Sequence, residues 1–256
     1  MNVGVRRISG ILHLQKLVCS QGQGQTLMKM NGGIKTQGDR VVCVDDQDVT
    51  LQVQVAVESL QADNIIAVPT DTIYGIAGLA QSVTAINKIY EIKQRDVNKP
   101  IAICVGEIKD VYKWGRVTVS EELLSELLPG PVTLVFERTA QLNPSLNPMT
   151  CLVGIRIPDH TFISSLARAC GQPLALTSAN VSAAGSTLSV QEFEHLWHKL
   201  DKVFDGGILG DGPLQRLGST VIDLSCYGKY RIIRPGSAHK ASLEVLHKFG
   251  LEEVAK

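Results

Sequence analysis

Residues Ile65–Pro100 read IIAVPTDTIYGIAGLAQSVTAINKIYEIKQRDVNKP, and the punctuation of this stretch decides how the chain folds. The apolar run Ile65–Val68, stopped by Pro69, predicts a buried strand that enters a turn. Thr70, Asp71, Thr72, Tyr74, Gly75 and Gly78 then form a polar, glycine-bearing loop. Ser82 is placed to cap a helix over 82–94, whose apolar positions Val83, Ile86, Ile89 and Tyr90 share one face. Lys93 and Arg95 stand at the end of that helix. If the helix folds back along the strand, both cations reach one cleft beside the loop. A mobile ammonium and a planar guanidinium together suit phosphate and carboxylate oxygens. The same pair also suits the helix dipole alone. Neither a GxxxxGK[ST] loop nor a GxGxxG turn occurs in this stretch, so the usual nucleotide signatures do not settle the matter.

Outward from this stretch, strands and helices alternate. A first helix over 49–62 has Asp48 or Thr50 as its cap. After the central stretch come a strand at 101–105 and helices near 107–114 and 120–128, the latter with Ser120 ahead of two acids. Next are a strand at 132–137, an exposed loop at 139–150 and a strand at 152–157. Period-two alternation puts Arg156 on the face of Gly154, opposite Ile155 and Ile157. A helix over 160–170, a strand at 173–176 and a polar loop at 177–186 follow. A helix over 190–200 has Ser189 as its cap. Short strands at 203–204, 220–224 and 230–233 and a last helix over 242–249 end the series. The pattern predicts an α/β fold: one domain over 41–256 with a twisted, mostly open central sheet flanked by helices. Polar loops follow apolar strands at 70–75, 177–180 and 234–236. Ligands of open α/β sheets sit at such strand ends, so the three loops point to one site.

Composition narrows the classes. Of 256 residues, 44% are hydrophobic and 20% charged, an ordinary globular mix able to bury a sizeable core. The net charge is zero, yet residues 1–38 hold five basic side chains and no acid. The remainder is therefore mildly acidic, which argues against broad electrostatic capture of nucleic acid. Aromatics are only 5%, too few for a row of base-stacking platforms. The basic leader, 1–40, with Ile8, Ile11, Leu12 and Leu14 on one helical face, reads as a mitochondrial targeting segment or a disordered tail. No apolar run is long enough to span a membrane. Six separated cysteines without a CxxC read as reduced thiols, and no histidine pairs with them at zinc spacing, so no metal site is expected. Asp71 reads equally as a turn residue or as a group that orients a neighbour. Ser178 and Asn180 offer a hydroxyl and an amide to a polar ligand, or an ordinary turn. Ser219 and Thr220 begin a strand, where hydroxyls usually serve the backbone.

Seven segments occur in a recognisable order: PTDTIYG (69–75), Lys93-x-Arg95 with Lys99-Pro100, PGPVT (129–133), GIRIP (154–158), TSANVSAAGS (177–186), GSTVID (218–223) and IIRPGS (232–237). Together they resemble the YrdC family of threonylcarbamoyl-AMP synthases, in its short form, over roughly residues 50–240. The resemblance implies a twisted α/β sheet with a deep, positively charged cleft. It implies a nucleotidyltransferase that condenses L-threonine, bicarbonate and ATP to threonylcarbamoyl-AMP and pyrophosphate. The product would pass transiently to the transferase machinery that modifies tRNA. Cytoplasmic and mitochondrial location would follow. By motif position, Lys93 and Arg95 would meet the ATP phosphates and bicarbonate. Thr70, Tyr74, Ser178 and Ser219 would surround threonine or its carbamate, and Arg156 would pair its carboxylate. Asn180, Ser186 and Arg234 would hold the nucleotide. Mg2+ would arrive with ATP. Asp96 and Ala102 depart from what relatives commonly carry. The resemblance further implies that Lys93→Ala abolishes turnover with little loss of fold. The competing expectation is a double-stranded RNA or tRNA binding module that uses the same cleft, with a weak tRNA contact.

Overall fold

A computed structural model describes residues 29–31, 34–37, 40–45, 47–93, 99–180, 185–210 and 216–254. Three short strands open the described chain: β1 (Lys29–Asn31), β2 (Ile34–Gln37) and β3 (Val41–Cys43). Helix α1 (Thr50–Gln61) follows, its first turn fixed by the Thr50 N–H donating to the Asp48 carboxylate at 3.0 Å. Then come β4 (Ile66–Val68), β5 (Gly75–Leu79), α2 (Val83–Lys93) and β6 (Ala102–Cys104). Helix α3 (Ile108–Trp114), β7 (Gly115–Arg116) and α4 (Glu121–Leu127) lead to β8 (Val132–Arg138) and β9 (Leu152–Arg156). Ser120 caps α4 by accepting from the Leu123 N–H, as its sequence position predicts. Helix α5 (Thr161–Cys170), β10 (Leu174–Ser178), a 3-10 helix (Val190–Lys199) and β11 (Lys202–Asp205) come next. The described chain closes with β12 (Thr220–Asp223), β13 (Lys229–Arg234), α6 (His239–Lys248) and β14 (Glu252–Glu253).

All the strands join one mixed sheet in the order β1-β2-β3-β11-β4-β5-β10-β6-β9-β8-β12-β13-β14, with β7 paired to β8 outside that path. Two apolar clusters hold it. On one face Val53, Ala56 and Leu60 of α1 and Phe162, Ile163 and Leu166 of α5 pack on Val68, Leu79, Cys104, Leu174 and Leu176. On the other, Ile86 and Ile89 of α2, Leu124 of α4 and Leu246 of α6 pack on Ile76, Ile103, Leu134, Ile155 and Ala175. No described helix is long and apolar enough to cross a membrane.

Three differences from the sequence reading have physical reasons. Gly75–Leu79, read as loop, is a strand, antiparallel to β4 on one side and β10 on the other. Two glycines in five residues erase its propensity signal, but a Cβ on Gly78 would stand 2.7 Å from Ile65 Cδ1, so close packing selects glycine there. The stretch 190–200 is a 3-10 helix kinked at Phe193, and no Ser189 side-chain cap forms. Its buried residues Val190, Phe193 and Leu196 recur every three positions, the period at which a 3-10 helix stacks one face. Finally, β1 and β2 lie upstream of the expected boundary at residue 41 and pair into the sheet through β3. The Asn-Gly-Gly sequence that starts at the last residue of β1 is a hairpin signal as well as a disorder signal. Residues 1–28, which carry most of the leader, lie outside the described residues.

Candidate active site

The apolar cover of α1 and α5 reaches Cys104 and extends no further among the described residues. Beyond it the same face continues through Ala102 on β6, Gly154 on β9 and Thr133 on β8. A Cβ on Gly154 would lie 3.5 Å from the Ala102 Cβ and 2.9 Å from Thr133 Cγ2. Ala102 and Gly154 are half-buried. Small side chains thus leave a strip of sheet that helices do not fill. Polar groups from six separate segments border it.

At one end stands Lys93, the last residue of α2 and only 1% exposed. Its ammonium donates to the Ser178 carbonyl (2.7 Å), the Asn180 side-chain oxygen (2.8 Å) and the Asn180 carbonyl. The Ser178 hydroxyl donates in turn to the Asn180 side-chain oxygen. The amphipathic face of α2, anchored by buried Ile86, Ile89 and Ile92, fixes where this ammonium emerges. A buried lysine so ringed by oxygens is a fixed positive centre rather than a solvated surface charge.

The loop between β4 and β5 forms the next wall. Tyr74 pairs by its backbone with Ala179 (2.9 Å) and Thr187 (2.9 Å), which places residues 70–74 against 178–180. Thr70 Oγ1 donates to the Ile73 carbonyl at 2.7 Å and accepts from the Thr72 and Ile73 amides. Asp71 binds Arg156 at 2.6 Å, both side chains 8% exposed. Arg156 also donates to Thr72 Oγ1 at 3.3 Å.

The last wall comes from the start of β12 and the end of β13. Ser219 Oγ lies 2.8 Å from Thr133 Oγ1. Arg234 donates to the Ser219 carbonyl at 2.8 Å and to its hydroxyl at 3.2 Å. Arg234 is an exposed residue, yet its guanidinium is held against Ser219 by these two bonds. Burial, and then the neighbouring Arg156 guanidinium, pull Arg234 below the ordinary arginine range. Two guanidiniums that oppose each other's charge in this way leave an anion-seeking site. The loop and this wall meet at Gly218, where the Ile73 side chain and the Arg234 guanidinium each lie 3.6 Å from the point a Cβ would occupy.

Of the residues singled out from sequence, Thr70, Lys93, Arg156, Ser178, Asn180, Ser219 and Arg234 border this strip. Tyr74 belongs to the same loop, yet its side chain runs the other way. It is fully buried, packs against the Phe193 ring at a tilt of 50°, and donates to the Gly207 carbonyl at 2.7 Å while accepting from the Gly206 amide at 2.9 Å. Ser186 is half-buried, and its carbonyl accepts from Arg216 at 2.6 Å. Arg95 and Asp96 lie outside the described residues, as do 181–184. Sequence reasoning gave no part to Thr133 or Thr72, and left Asp71 open. Thr133 closes the quoted PGPVT segment, and a buried hydroxyl inside an apolar strand was the available signal.

Comparison with known proteins gives the family and the fold. The Sua5/yciO/yrdC family model, described as telomere recombination, matches residues 58–236. The chain is 53% identical over 205 residues to a Homo sapiens protein named threonylcarbamoyl-AMP synthase, covering 79% of this chain and 74% of the relative. It is 52% identical over 204 residues to a Bos taurus protein of the same name, again with 79% and 74% covered. Among solved structures, Sua5 of P. abyssi complexed with L-threonine superposes with a TM-score of 0.73 at 24% identity, covering 84% of this chain and 62% of that one.

Proposed function

Since the chain belongs to the Sua5/YciO/YrdC family, we propose that it is a threonylcarbamoyl-AMP synthase, a nucleotidyltransferase acting on ATP. Threonine's amine adds to bicarbonate, with loss of water, to give a carbamate. A carbamate oxygen attacks the α-phosphorus, the bond from that phosphorus to the α,β-bridging oxygen breaks, and pyrophosphate leaves. The protein's task is to align reactants, exclude water and hold negative charge. Lys93 supplies a fixed ammonium for phosphate and carbamate oxygens, with Arg95 as its partner. Arg156 takes the threonine carboxylate. The hydroxyls of Thr70, Ser178 and Ser219 orient the amino acid, and Tyr74 shapes their loop. Asn180, Ser186 and Arg234 hold the nucleotide. Asp71, the carboxylate of the cluster, commits both oxygens to Arg156 and the Asp159 amide. The remaining cations and hydroxyls suit phosphate better than a metal, so Mg2+ comes with the triphosphate. The product passes to a tRNA-modifying transferase, and the basic leader supports delivery to mitochondria as well as the cytoplasm.

The observation that carries this reading is the convergence of Lys93, Arg156 and Arg234, with the hydroxyls of Thr70, Ser178 and Ser219, around one uncovered strip of sheet. The test is pyrophosphate release by the purified full chain. Release that requires ATP, threonine and bicarbonate together is expected. Release indifferent to threonine or bicarbonate overturns the reading.

A further inference from the structure

Asp71 touches none of the groups assigned to a substrate except Arg156. One carboxylate oxygen accepts from Arg156 Nη2 at 2.6 Å, and the other accepts from the Asp159 N–H at 3.0 Å. It is thus anchored at both oxygens, to the end of β9 and to the turn that enters α5. Thr72 Oγ1 takes the same Nη2 at 3.3 Å and lies 3.1 Å from Thr70 Oγ1. Asp71 and Thr72 therefore grip one nitrogen of the guanidinium, with Thr70 behind Thr72. Arg156 Nε, by contrast, is buried without an acceptor among the described residues. A buried donor left unmet is unfavourable, and an incoming carboxylate is the acceptor that would relieve it.

We infer that Asp71 is a positioning residue: it holds Arg156 by Nη2 and so keeps the rest of the guanidinium set for the amino-acid carboxylate. This rests on the reading that Arg156 binds threonine. The sign of the effect separates positioning from simple neutralisation. If Asp71 merely cancelled the charge of Arg156, its removal would free a cation and tighten carboxylate binding. If it positions the guanidinium, removal weakens binding, because the fork has lost its fixed geometry.

The test is a double-mutant cycle on the full chain, read as the KM for threonine and for ATP in pyrophosphate release. Asp71→Asn is expected to raise the KM for threonine at least tenfold and the KM for ATP less than threefold. In an Arg156→Met background, Asp71→Asn is expected to add less than twofold. A threonine KM that is unchanged or lower in Asp71→Asn overturns the inference, as does an effect that adds in full to that of Arg156→Met. If Arg156→Met itself leaves the threonine KM unchanged, the placement of the carboxylate on Arg156 falls, and the inference falls with it. If circular dichroism shows Asp71→Asn unfolded, Thr72→Val takes its place in the same cycle. A threefold rise that vanishes in the Arg156→Met background then supports the inference, and no rise overturns it.

Discussion

Lys93 Nζ lies 2.7 Å from the Ser178 carbonyl and 2.8 Å from the Asn180 side-chain oxygen, so one ammonium ties the end of α2 to the end of β10. Lys93→Ala removes both a charge for the substrate and the donor for these oxygens. Turnover is expected to fall more than a hundredfold. Contrary to the expectation from motif position alone, the fold should also suffer, by about 1–3 kcal/mol, because buried acceptors lose their donor. Pyrophosphate release and urea unfolding of the same variant measure the two losses separately. A variant as stable as the wild type would show that water satisfies those oxygens.

Gly236 is pressed against the peptide between Ser219 and Thr220. A Cβ there would stand 2.3 Å from the Ser219 carbonyl carbon and 2.4 Å from the Thr220 nitrogen. Both are backbone atoms and cannot swing aside. Gly236→Ala should therefore push the Arg234 turn away from Ser219, at a cost of about 1–3 kcal/mol. The KM for ATP is expected to rise at least tenfold, since Arg234 moves with the turn. Thermal unfolding together with ATP titration checks both effects, and an unshifted KM would detach Arg234 from the nucleotide.

Tyr74 supplies a pH dependence whose sign can be worked out. Burial, then the nearby Asp205 carboxylate, raise its phenol above the ordinary value of 10.0. Above pH 10 the unfolded phenol loses its proton while the native one keeps it, so the unfolded state binds fewer protons. Stability should be fully present below pH 10 and fall by about 1.4 kcal/mol per pH unit above it, until the native group also ionises. Tyr74→Phe should flatten this alkaline slope. Losing the bonds to Gly206 and Gly207 should cost about 1–2 kcal/mol at neutral pH. Urea midpoints from pH 8 to 11 for both proteins decide it, and equal slopes would refute the assignment.

Much of the fold was legible because its helices have apolar periods and caps, as Ile86 and Ile89 in α2 and Ser120 before α4 show. Strand β5 was not, because Gly75 and Gly78 are required by neighbours that only the folded sheet supplies. Its connection to β4 also runs through six residues without a tight-turn signature. At the site, residue types were readable, but partnerships were not. Nothing local links Asp71 to Arg156, or Thr133 to Ser219, which lie 85 and 86 positions apart along the chain. The side-chain direction of Tyr74 was equally hidden, since its hydroxyl partners, Asp205 to Gly207, lie at the end of β11 and just past it.

Strand β12 joins the sheet by pairing in parallel with β8, and β13 then folds back on it to deliver Arg234. During synthesis, Lys93, Arg156 and Ser178 all emerge before this closing wall exists. A nascent chain short of about residue 236 would thus expose a half-built cradle that grips no nucleotide. With Arg234 in the proposed nucleotide role, ribosome-bound chains would stay silent by the order of their own sequence, and the first ligand capture would signal that β12 and β13 have completed their non-local pairing.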